Sequence, residues 1–371
     1  MSVTALTEKM PVGARRGEYR GAETVAAYSD PWSEFADMIS GCAIYDRGWR
    51  AKIELTGKDR VRWLNGMVTN NVRDLAAGGG VYAFVLNPQG RILADLYVYN
   101  RSESLLLDTD QFQAAKLVEI FRRYIIMDKV ELNNISDKLT AIGITGAKSR
   151  EVLQRAGFEL PQLAGLQLAE VIWQGINLTL VRGEDEKRES YEVWLGPEKV
   201  DQLWSALVKA HATPVGSEVL ELYRIANGIP AYGQDIHDRD LPQETGQMRA
   251  LNFTKGCYIG QEIVERIRSR GNVHRAFTGF EIEGSLPAPG TKLELEGKEV
   301  GQITSAACLP LTHGERPVAL GYIRREAAAS GNVLVYGQAR SAIVTELPFW
   351  KSLGMEIEKS STSQREGSTN F

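Results

Sequence analysis

Cysteine is scarce in this chain: three in 371 residues, at Cys42, Cys257 and Cys308. They are odd in number, far apart, and form no CxxC. Such spacing argues against a disulfide scaffold and against a thiolate zinc site, and it fits a reducing cytoplasm. Histidine is nearly as rare. His211, His237, His274 and His313 show no HExxH spacing, so a zinc hydrolase is not expected. An excess of one charge is missing too. There are 43 basic residues against 47 acidic, a formal net charge of −4. Wholesale binding to nucleic acid or to a membrane is therefore not expected, and any anion site must be local. No apolar run reaches the roughly 18 residues of a membrane span. The start, MSVTALTEKMPVGARRGEY, lacks the apolar centre of a signal peptide. A phosphate loop is absent as well: in GITGAKS, Ala147 separates Gly146 from Lys148, which GxxxxGK[ST] requires to be adjacent.

What remains is ordinary globular material, 43% hydrophobic and 24% charged, long enough for two or three domains. YSDPWSEFADMI predicts a helix, with Ser29 or Asp30 as its cap and Pro31 in its first turn. WRAKIELTG reads as a strand and KDRVRWLNGMVTNNV as the helix after it. GVYAFVLNPQGRILADLYVYN is a hairpin turning at Asn87–Gly90. DTDQFQAAKLVEIFRRYI is an amphipathic helix capped by Asp108 or Thr109, and MDKVELNNI another strand. LTAIGITGAKSREVLQRAG reads as strand, turn and helix. INLTLVRGEDEKRESYEVWLG is a second hairpin, and EKVDQLWSALVKAHA a helix. Past about Gly271 to Ala276 the texture changes to short strands with glycine turns and almost no helix. A small barrel or sandwich is expected there. The end, EKSSTSQREGSTNF, is polar and expected to be disordered.

Two strand carboxylates stand out. Asp95 shares a face with Leu93 and Tyr97 by alternation, and Glu192 lies in SYEVWL. Pattern alone favours the solvent face for both, because carboxylates are seldom buried unpaired. The richest stretch is LNFTKGCYIGQEIVERIRSRGNVHR, Leu251 to Arg275. Gly256 and Gly260 permit tight turns around Cys257. A helical turn over Tyr258 to Gln261 would set the thiol at a helix N-terminus, with Lys255 adding positive charge. Arg266, Arg268 and Arg270 alternate as on a strand, three guanidinium groups on one face. The competing reading is a buried packing cysteine beside a solvated basic strand. The clustering of thiol, lysine and arginines tips the balance to a reactive Cys257.

KGCYIGQE resembles the defining motif of the YgfZ family of folate-binding proteins, whose mitochondrial relatives act in late iron–sulfur cluster assembly. WLNGMVTNNV, NPQGRILADL, YRIANGIPAYGQDI, LPQETG and GQITSAA agree, so the resemblance spans about Tyr45 to Phe349. The same fold is shared with the aminomethyltransferase (T-protein) of glycine cleavage. The resemblance implies an α+β, aminomethyltransferase-like folate-binding fold, with lobes around a central channel and a small C-terminal β-barrel. Residues 20–52 and 139–270 would form a discontinuous folate-binding lobe, 53–138 an inserted α+β lobe, 271–350 the barrel and 351–371 a disordered tail. It also implies roles. Glu192 matches the pterin-binding glutamate, and Arg224 in YRIANGIPAYG matches the arginine of the T-protein LRLEAG segment. Tyr258 and Gln261 belong to the cysteine motif and are taken with the folate site. The T-protein carries paired acids where this chain has Ala94-Asp95, so only the second is present.

The function implied is a tetrahydrofolate-binding protein that assists iron–sulfur cluster assembly or repair, with Cys257 activated by Lys255. One thiolate cannot supply the usual four cysteine ligands, so a cluster-assembly protein or cluster enzyme must act as partner. The alternatives are a folate-dependent aminomethyl or one-carbon transferase using Asp95, and a non-catalytic binding module. A cytoplasmic monomer is expected.

Overall fold

The structure is a computed structural model that describes residues 2–7, 10–271, 273–311, 314–338 and 340–353. His313 and residues 354–371 of the polar tail lie outside the described residues. No helix among the described residues is long and apolar enough to cross a membrane.

Two sheets carry the body. The first has six strands in the order Leu168–Trp173, Ile176–Arg182, Ser190–Leu195, Thr140–Thr145, Ala43–Asp46 and Thr213–Pro214. Ala43–Asp46 pairs with Thr140–Thr145 across nearly a hundred intervening residues, so this sheet is assembled from separated pieces of chain. The chain between them folds as a second sheet of five strands. Its order is Gly80–Leu86, Ile92–Asn100, Leu105–Asp110, Arg50–Thr56 and Glu131–Asn134. The sequence reading starts the inserted lobe at residue 53. That position falls inside Arg50–Thr56, and the sheets part at 47–49 instead. A small three-stranded sheet at the N-terminus joins Ser2–Val3, Ala22–Ala27 and Arg15–Tyr19.

The C-terminal strands close into a six-stranded barrel. Arg275–Glu283 pairs with Gly314–Arg324 on one side and with Arg340–Thr345 on the other, and Lys298–Leu311, Lys292–Leu295 and Val333–Tyr336 complete the circuit. Closure removes the exposed edges that six short strands would otherwise present.

Alternation decides what each strand buries. Along Ile92–Asn100, Ala94, Leu96 and Val98 pack with Leu117 and Phe121 of the helix Gln111–Tyr124. The opposite face carries Leu93, Asp95, Tyr97 and Tyr99, and Tyr99 meets Trp194 of the other sheet edge-on, with ring centroids 5.0 Å apart. A separate apolar cluster ties the helices Pro31–Ser40 and Ser217–Ala226 to the barrel through Phe35, Val219, Leu309 and Phe349.

Helix starts follow side-chain chemistry. Asp30 caps Pro31–Ser40 by accepting from the Ser33 N–H at 3.1 Å. The helix Gln111–Tyr124 starts later than expected, with Asp110 at the N-cap position. Asp108 and Thr109 stay in the strand because their side chains are held elsewhere: Asp108 by Arg50 and Lys52, and Thr109 by the Asp95 carbonyl at 2.7 Å. Helix Gln261–Arg270 corrects a second expectation. Arg266, Arg268 and Arg270 lie on it rather than on a strand. Five alternating residues fit either period, whereas Ile263, Val264 and Ile267 carry the helical one.

One buried carboxylate clips this frame together. Glu34 has no exposed surface, and it accepts from the backbone N–H groups of Tyr28 (2.8 Å) and Ser29 and, from far along the chain, Gly216 (2.7 Å). Glu34→Ala would leave three N–H groups without their acceptor. Urea unfolding should show a loss of about 3 kcal/mol or more, since each hydrogen bond to a charged group is worth about 1.5–3 kcal/mol. A change below 1 kcal/mol would show that water replaces the carboxylate at no cost.

Candidate functional site

The two sheets meet at a cluster of charge. In Arg50–Thr56, Arg50 and Lys52 point the same way; in Leu105–Asp110, so do Asp108 and Asp110. The register sets Arg50 opposite Asp110 and Lys52 opposite Asp108. Arg50 binds both aspartates, and Lys52 binds Asp108. All four are buried. Burial alone would raise the Asp108 pKa, but Arg50, Lys52 and Arg47 outweigh it and hold the carboxyl down at about 2. Asp110 goes the other way: burial raises its pKa against the pull of Arg50 and Arg20.

This cluster touches the expected pterin site. The Lys52 ammonium sits 4.5 Å from the centre of the Trp194 ring. Trp194 donates its Nε1–H to Glu192 Oε2 at 3.0 Å, and Arg47 pairs with Glu192 Oε1. Glu192 is 17% exposed, so it is not on the solvent face that alternation favoured. Each of its oxygens accepts one bond in the chain and has room for another. Beside it, Arg47 Nε is buried with no partner among the described residues.

Asp95 also turns inward. Tyr82 donates its hydroxyl proton to Oδ2 at 2.7 Å, and Gln113 Nε2 donates to Oδ1 at 2.8 Å. The pattern-based solvent face is thus wrong for Asp95: on the strand face opposite the core it is held by Tyr82 and Gln113, and Tyr99 of that face meets Trp194 of the other sheet. Tyr97 stands between the two carboxylates, 5.0 Å from the Tyr82 ring and donating to Glu184 at 3.3 Å. Glu184 pairs with Arg249, whose guanidinium lies 4.3 Å from the Tyr82 ring centre. The result is a half-buried polar edge bounded by Asp95, Tyr97, Glu184, Glu192 and Arg47.

Arg224 lies on the helix Ser217–Ala226. It bonds Glu221 twice, Asp235 and Ser305, and the Ile229 carbonyl. All five of its N–H donors are used. It joins the helix to the barrel, and pairing with a ligand carboxylate would require one of these bonds to open.

The KGCYIGQE segment packs on the edge strand Gly80–Leu86 of the inserted lobe and on the hairpin turn that follows it. Gly260, at φ +81°, starts the helix Gln261–Arg270. A Cβ there would stand 2.6 Å from the Asn87 carbonyl, so the hairpin turn and the motif need glycine where they touch. Cys257 precedes this N-cap and is exposed, while Cys42 is buried and Cys308 intermediate. Burial pushes the Cys42 thiol up to about 11. Tyr258 is buried in an apolar cluster with Tyr82, Phe84 and Leu251, and its hydroxyl has no partner among the described residues. Gln261 Oε1 accepts from the Tyr258 N–H at 3.4 Å, a local turn contact. These two residues are packed under the hairpin, and neither contacts Glu192.

Lys255 is turned away from the surface. Its ammonium donates to the carbonyls of Asn65 (2.6 Å), Val68 (2.7 Å) and Asn70 (2.6 Å), where the helix Arg60–Met67 ends. All three ammonium protons are thereby used. Burial draws its pKa down to about 7, with Arg73 adding to the effect; the helix C-terminus and the carbonyls favour the charged form. The expected activation of Cys257 by Lys255 therefore lacks a free ammonium. Arg73 reaches the same loop, with Nη2 3.3 Å from where a Gly256 Cβ would sit.

Residues 8–255 match the model of the GCVT N-terminal domain. The chain belongs to that family. Its relatives include a putative chloroplastic transferase of Arabidopsis thaliana, 26% identical over 84% of this chain and 72% of that one. The aminomethyltransferase of Rubrobacter xylanophilus is 26% identical over 93% of this chain and 92% of its own, and that of Nostoc 29% over 91% and 93%. The crystal structure of the glycine cleavage system aminomethyltransferase T from Bartonella henselae superposes with a TM-score of 0.83. It is 20% identical and covers 94% of this chain and 98% of its own. The fold is aminomethyltransferase-like, as the motifs implied.

Sequence reasoning named Asp95 and Glu192 but missed Arg47, Lys52, Trp194, Tyr82 and Gln113, which hold them. A signal existed for one pair of strands: Arg50-x-Lys52 and Asp108-x-Asp110 are complementary at the spacing of a strand face.

The position of Lys255 yields a prediction. Lys255→Met keeps the length and removes the donors, leaving three buried carbonyls unpaired. At about 1–3 kcal/mol for each unsatisfied group, thermal unfolding should show a loss of several kcal/mol. Alkylation of Cys257 by iodoacetamide at pH 7, at a temperature where the variant is folded, should stay within about twofold of the parent. A large drop in alkylation with unchanged stability would restore Lys255 as the group that activates the thiol.

Proposed function

We propose that this chain binds tetrahydrofolate at the polar edge between its two sheets and uses the exposed Cys257 in iron–sulfur cluster assembly or repair. The observation that carries the folate half is the unfinished hydrogen bonding at Glu192 and Arg47. Glu192 has acceptor capacity left on both oxygens, and Arg47 Nε is a buried donor without a partner among the described residues. A pterin offers the complementary set: an aminopyrimidine edge that donates two hydrogen bonds to a carboxylate, and ring atoms that accept. Tyr97, half-buried, supplies an aromatic face, with Tyr99 stacked behind it. These residues fit the group. When bound, tetrahydrofolate supplies its N5 and N10 amines as one-carbon acceptors. The chain's own residues orient it, and Trp194 and Arg47 hold the Glu192 carboxylate at its station.

The cysteine half rests on accessibility and on the YgfZ-like KGCYIGQE motif. Of the three thiols only Cys257 is exposed, and Lys255 anchors the loop that presents it. Among the described residues no cluster of three or more His, Cys, Asp or Glu could hold a metal ion. A cluster handled here takes its other ligands from a partner assembly protein or target enzyme.

A second reading, a folate-dependent aminomethyl or one-carbon transferase, is favoured by a specific observation. Asp95 faces the same polar edge as Glu192, held by Tyr82 and Gln113. The relatives named aminomethyltransferase support it as well.

Calorimetry separates the folate claim from its failure. Glu192→Ala should weaken tetrahydrofolate binding by about 1.5–3 kcal/mol, the value of a hydrogen bond to a charged group. Unchanged affinity would remove Glu192 from the site. A deletion strain complemented with Cys257→Ala should lose the activity of its iron–sulfur enzymes while the purified variant still binds folate. Full complementation would sink the cysteine claim. Turnover with aminomethyl-lipoyl carrier protein and tetrahydrofolate, lost in Asp95→Asn, would instead establish the transferase.

A further inference from the structure

A folate is acidic at the end away from its pterin, and Arg224 is poorly placed to meet that end. Its side chain is 9% exposed and every donor is used. Arg249 is open. It lies in the short turn Met248–Ala250, with its side chain 34% exposed. Its Nε donates to Gln247 Oε1 at 2.9 Å, its guanidinium lies over the Tyr82 ring, and its ion pair is with Glu184. A row of rings joins this arginine to Glu192. Trp194, which donates to Glu192, is followed by Tyr99, Tyr97 and Tyr82, with successive centroids 5.0, 6.4 and 5.0 Å apart. Tyr97 is half-buried and the other three rings are buried.

The row thus has a carboxylate at one end and a guanidinium at the other. A ligand that suits both is elongated, donates hydrogen bonds at its head and is acidic at its tail. Folate has that polarity. We propose that Arg249 receives the tail carboxylate of a folate whose pterin is held at Glu192, and that Glu184 occupies Arg249 until the ligand displaces it; this rests on the folate reading above and deepens it. Glu184 is built to be displaced. Its carboxylate is held by side chains alone, Arg249 and the Tyr97 hydroxyl at 3.3 Å. The rest of its loop is anchored independently. Arg182 Nη1 donates to the carbonyls of Arg188 (2.7 Å) and Ser190 (2.8 Å), and Glu186 accepts from the Gly165 N–H at 3.1 Å. Arg188 in turn donates to the Tyr223 hydroxyl at 3.1 Å and stacks 5.0 Å from the Trp350 ring centre. Breaking the pair with Arg249 therefore frees one side chain and leaves the loop in place.

The exchange conserves charge pairing. One carboxylate leaves the guanidinium as another arrives, so Arg249 is paired in both states and the cost of an uncompensated ion is avoided. The receiving group is also fixed in position. The Arg249 carbonyl accepts from Asn70 Nδ2 at 2.9 Å and the Ala250 carbonyl from Thr69 Oγ1 at 2.6 Å, both from the inserted lobe. Glu184 belongs to the loop between Ile176–Arg182 and Ser190–Leu195 of the other sheet. The empty site is therefore bridged from one sheet to the other by the chain's own carboxylate, and the ligand's carboxylate takes over the inserted-lobe end of that bridge.

Calorimetry of the full chain with two ligands tests it: tetrahydrofolate, and tetrahydrofolate with both tail carboxyls capped as amides. Arg249→Met should weaken tetrahydrofolate binding about tenfold or more, the scale of a charge-assisted hydrogen bond, and leave the diamide within about twofold. Arg249→Lys keeps the charge without the fork and should fall between wild type and Arg249→Met. Glu184→Gln should tighten tetrahydrofolate about threefold or more with the diamide unchanged, and should give no gain when Arg249→Met is also present. Thermal unfolding confirms that each variant is folded at the temperature of measurement. An Arg249→Met protein that binds tetrahydrofolate as wild type does would overturn the proposal. So would one that loses both ligands equally, or a Glu184→Gln protein that binds tetrahydrofolate more weakly. Glu192→Ala separates the two levels. If it weakens both ligands, the pterin site stands whatever Arg249 shows; if it weakens neither, or the wild type binds neither, the folate reading falls and the tail site with it.

Discussion

Everything at the centre of this molecule hangs on four charges buried between two neighbouring strands. Removing Arg50, Lys52, Asp108 and Asp110 from water costs several kcal/mol for each ion, and only close mutual pairing offsets it. The register that pairs them cannot slip by one residue without turning the two charges of the slipping strand into the apolar core and leaving the other two unpaired. The ladder therefore fixes the alignment of Arg50–Thr56 with Leu105–Asp110. Through Lys52 under the Trp194 ring it also fixes where the other sheet places Glu192. Trp194 and Arg47 hold the Glu192 carboxylate directly, and the ladder holds Trp194 in turn.

The cysteine segment is built on a different plan. Its thiol is exposed, but the motif around it is anchored at three points: Lys255 on three carbonyls, Tyr258 in an aromatic cluster, Gly260 against the hairpin turn. Lysine in this place is a cap for a helix end, and its charge is consumed there. The anchored segment sets the one exposed thiol of the described residues at a defined spot on the surface.

Much of the fold was legible because its local signals agree. Asp30 and Pro31 mark a helix start, NPQG marks a hairpin, and the loss of helical periodicity after Gly271 marks the barrel. What strand alternation cannot report is which face looks into an internal polar space. Asp95 and Glu192 were both assigned to solvent for that reason, when each faces the partner sheet. The arginine run failed for another reason. R-I-R-S-R is too short to separate a period of two from one of 3.6, and Ile267 within it shows the helical period only when joined to Ile263 and Val264 upstream. Partners such as Tyr82 and Gln113 left no trace, because nothing in a linear sequence marks the groups that will meet a carboxylate across a sheet. Only the Arg50-x-Lys52 and Asp108-x-Asp110 strands carried their pairing in the text. Reading it required knowing that they are neighbours.

The split assembly of the six-stranded sheet bears on how the chain reaches this state. Ala43–Asp46 leaves the ribosome long before Thr140–Thr145, its neighbour, exists. Closing so long a loop is entropically slow unless something shortens it. The inserted lobe does so. Its first strand, Arg50–Thr56, pairs with its last, Glu131–Asn134, so once the insert folds its two ends emerge side by side. A ninety-residue search then shrinks to a few residues at 47–49 and 135–139.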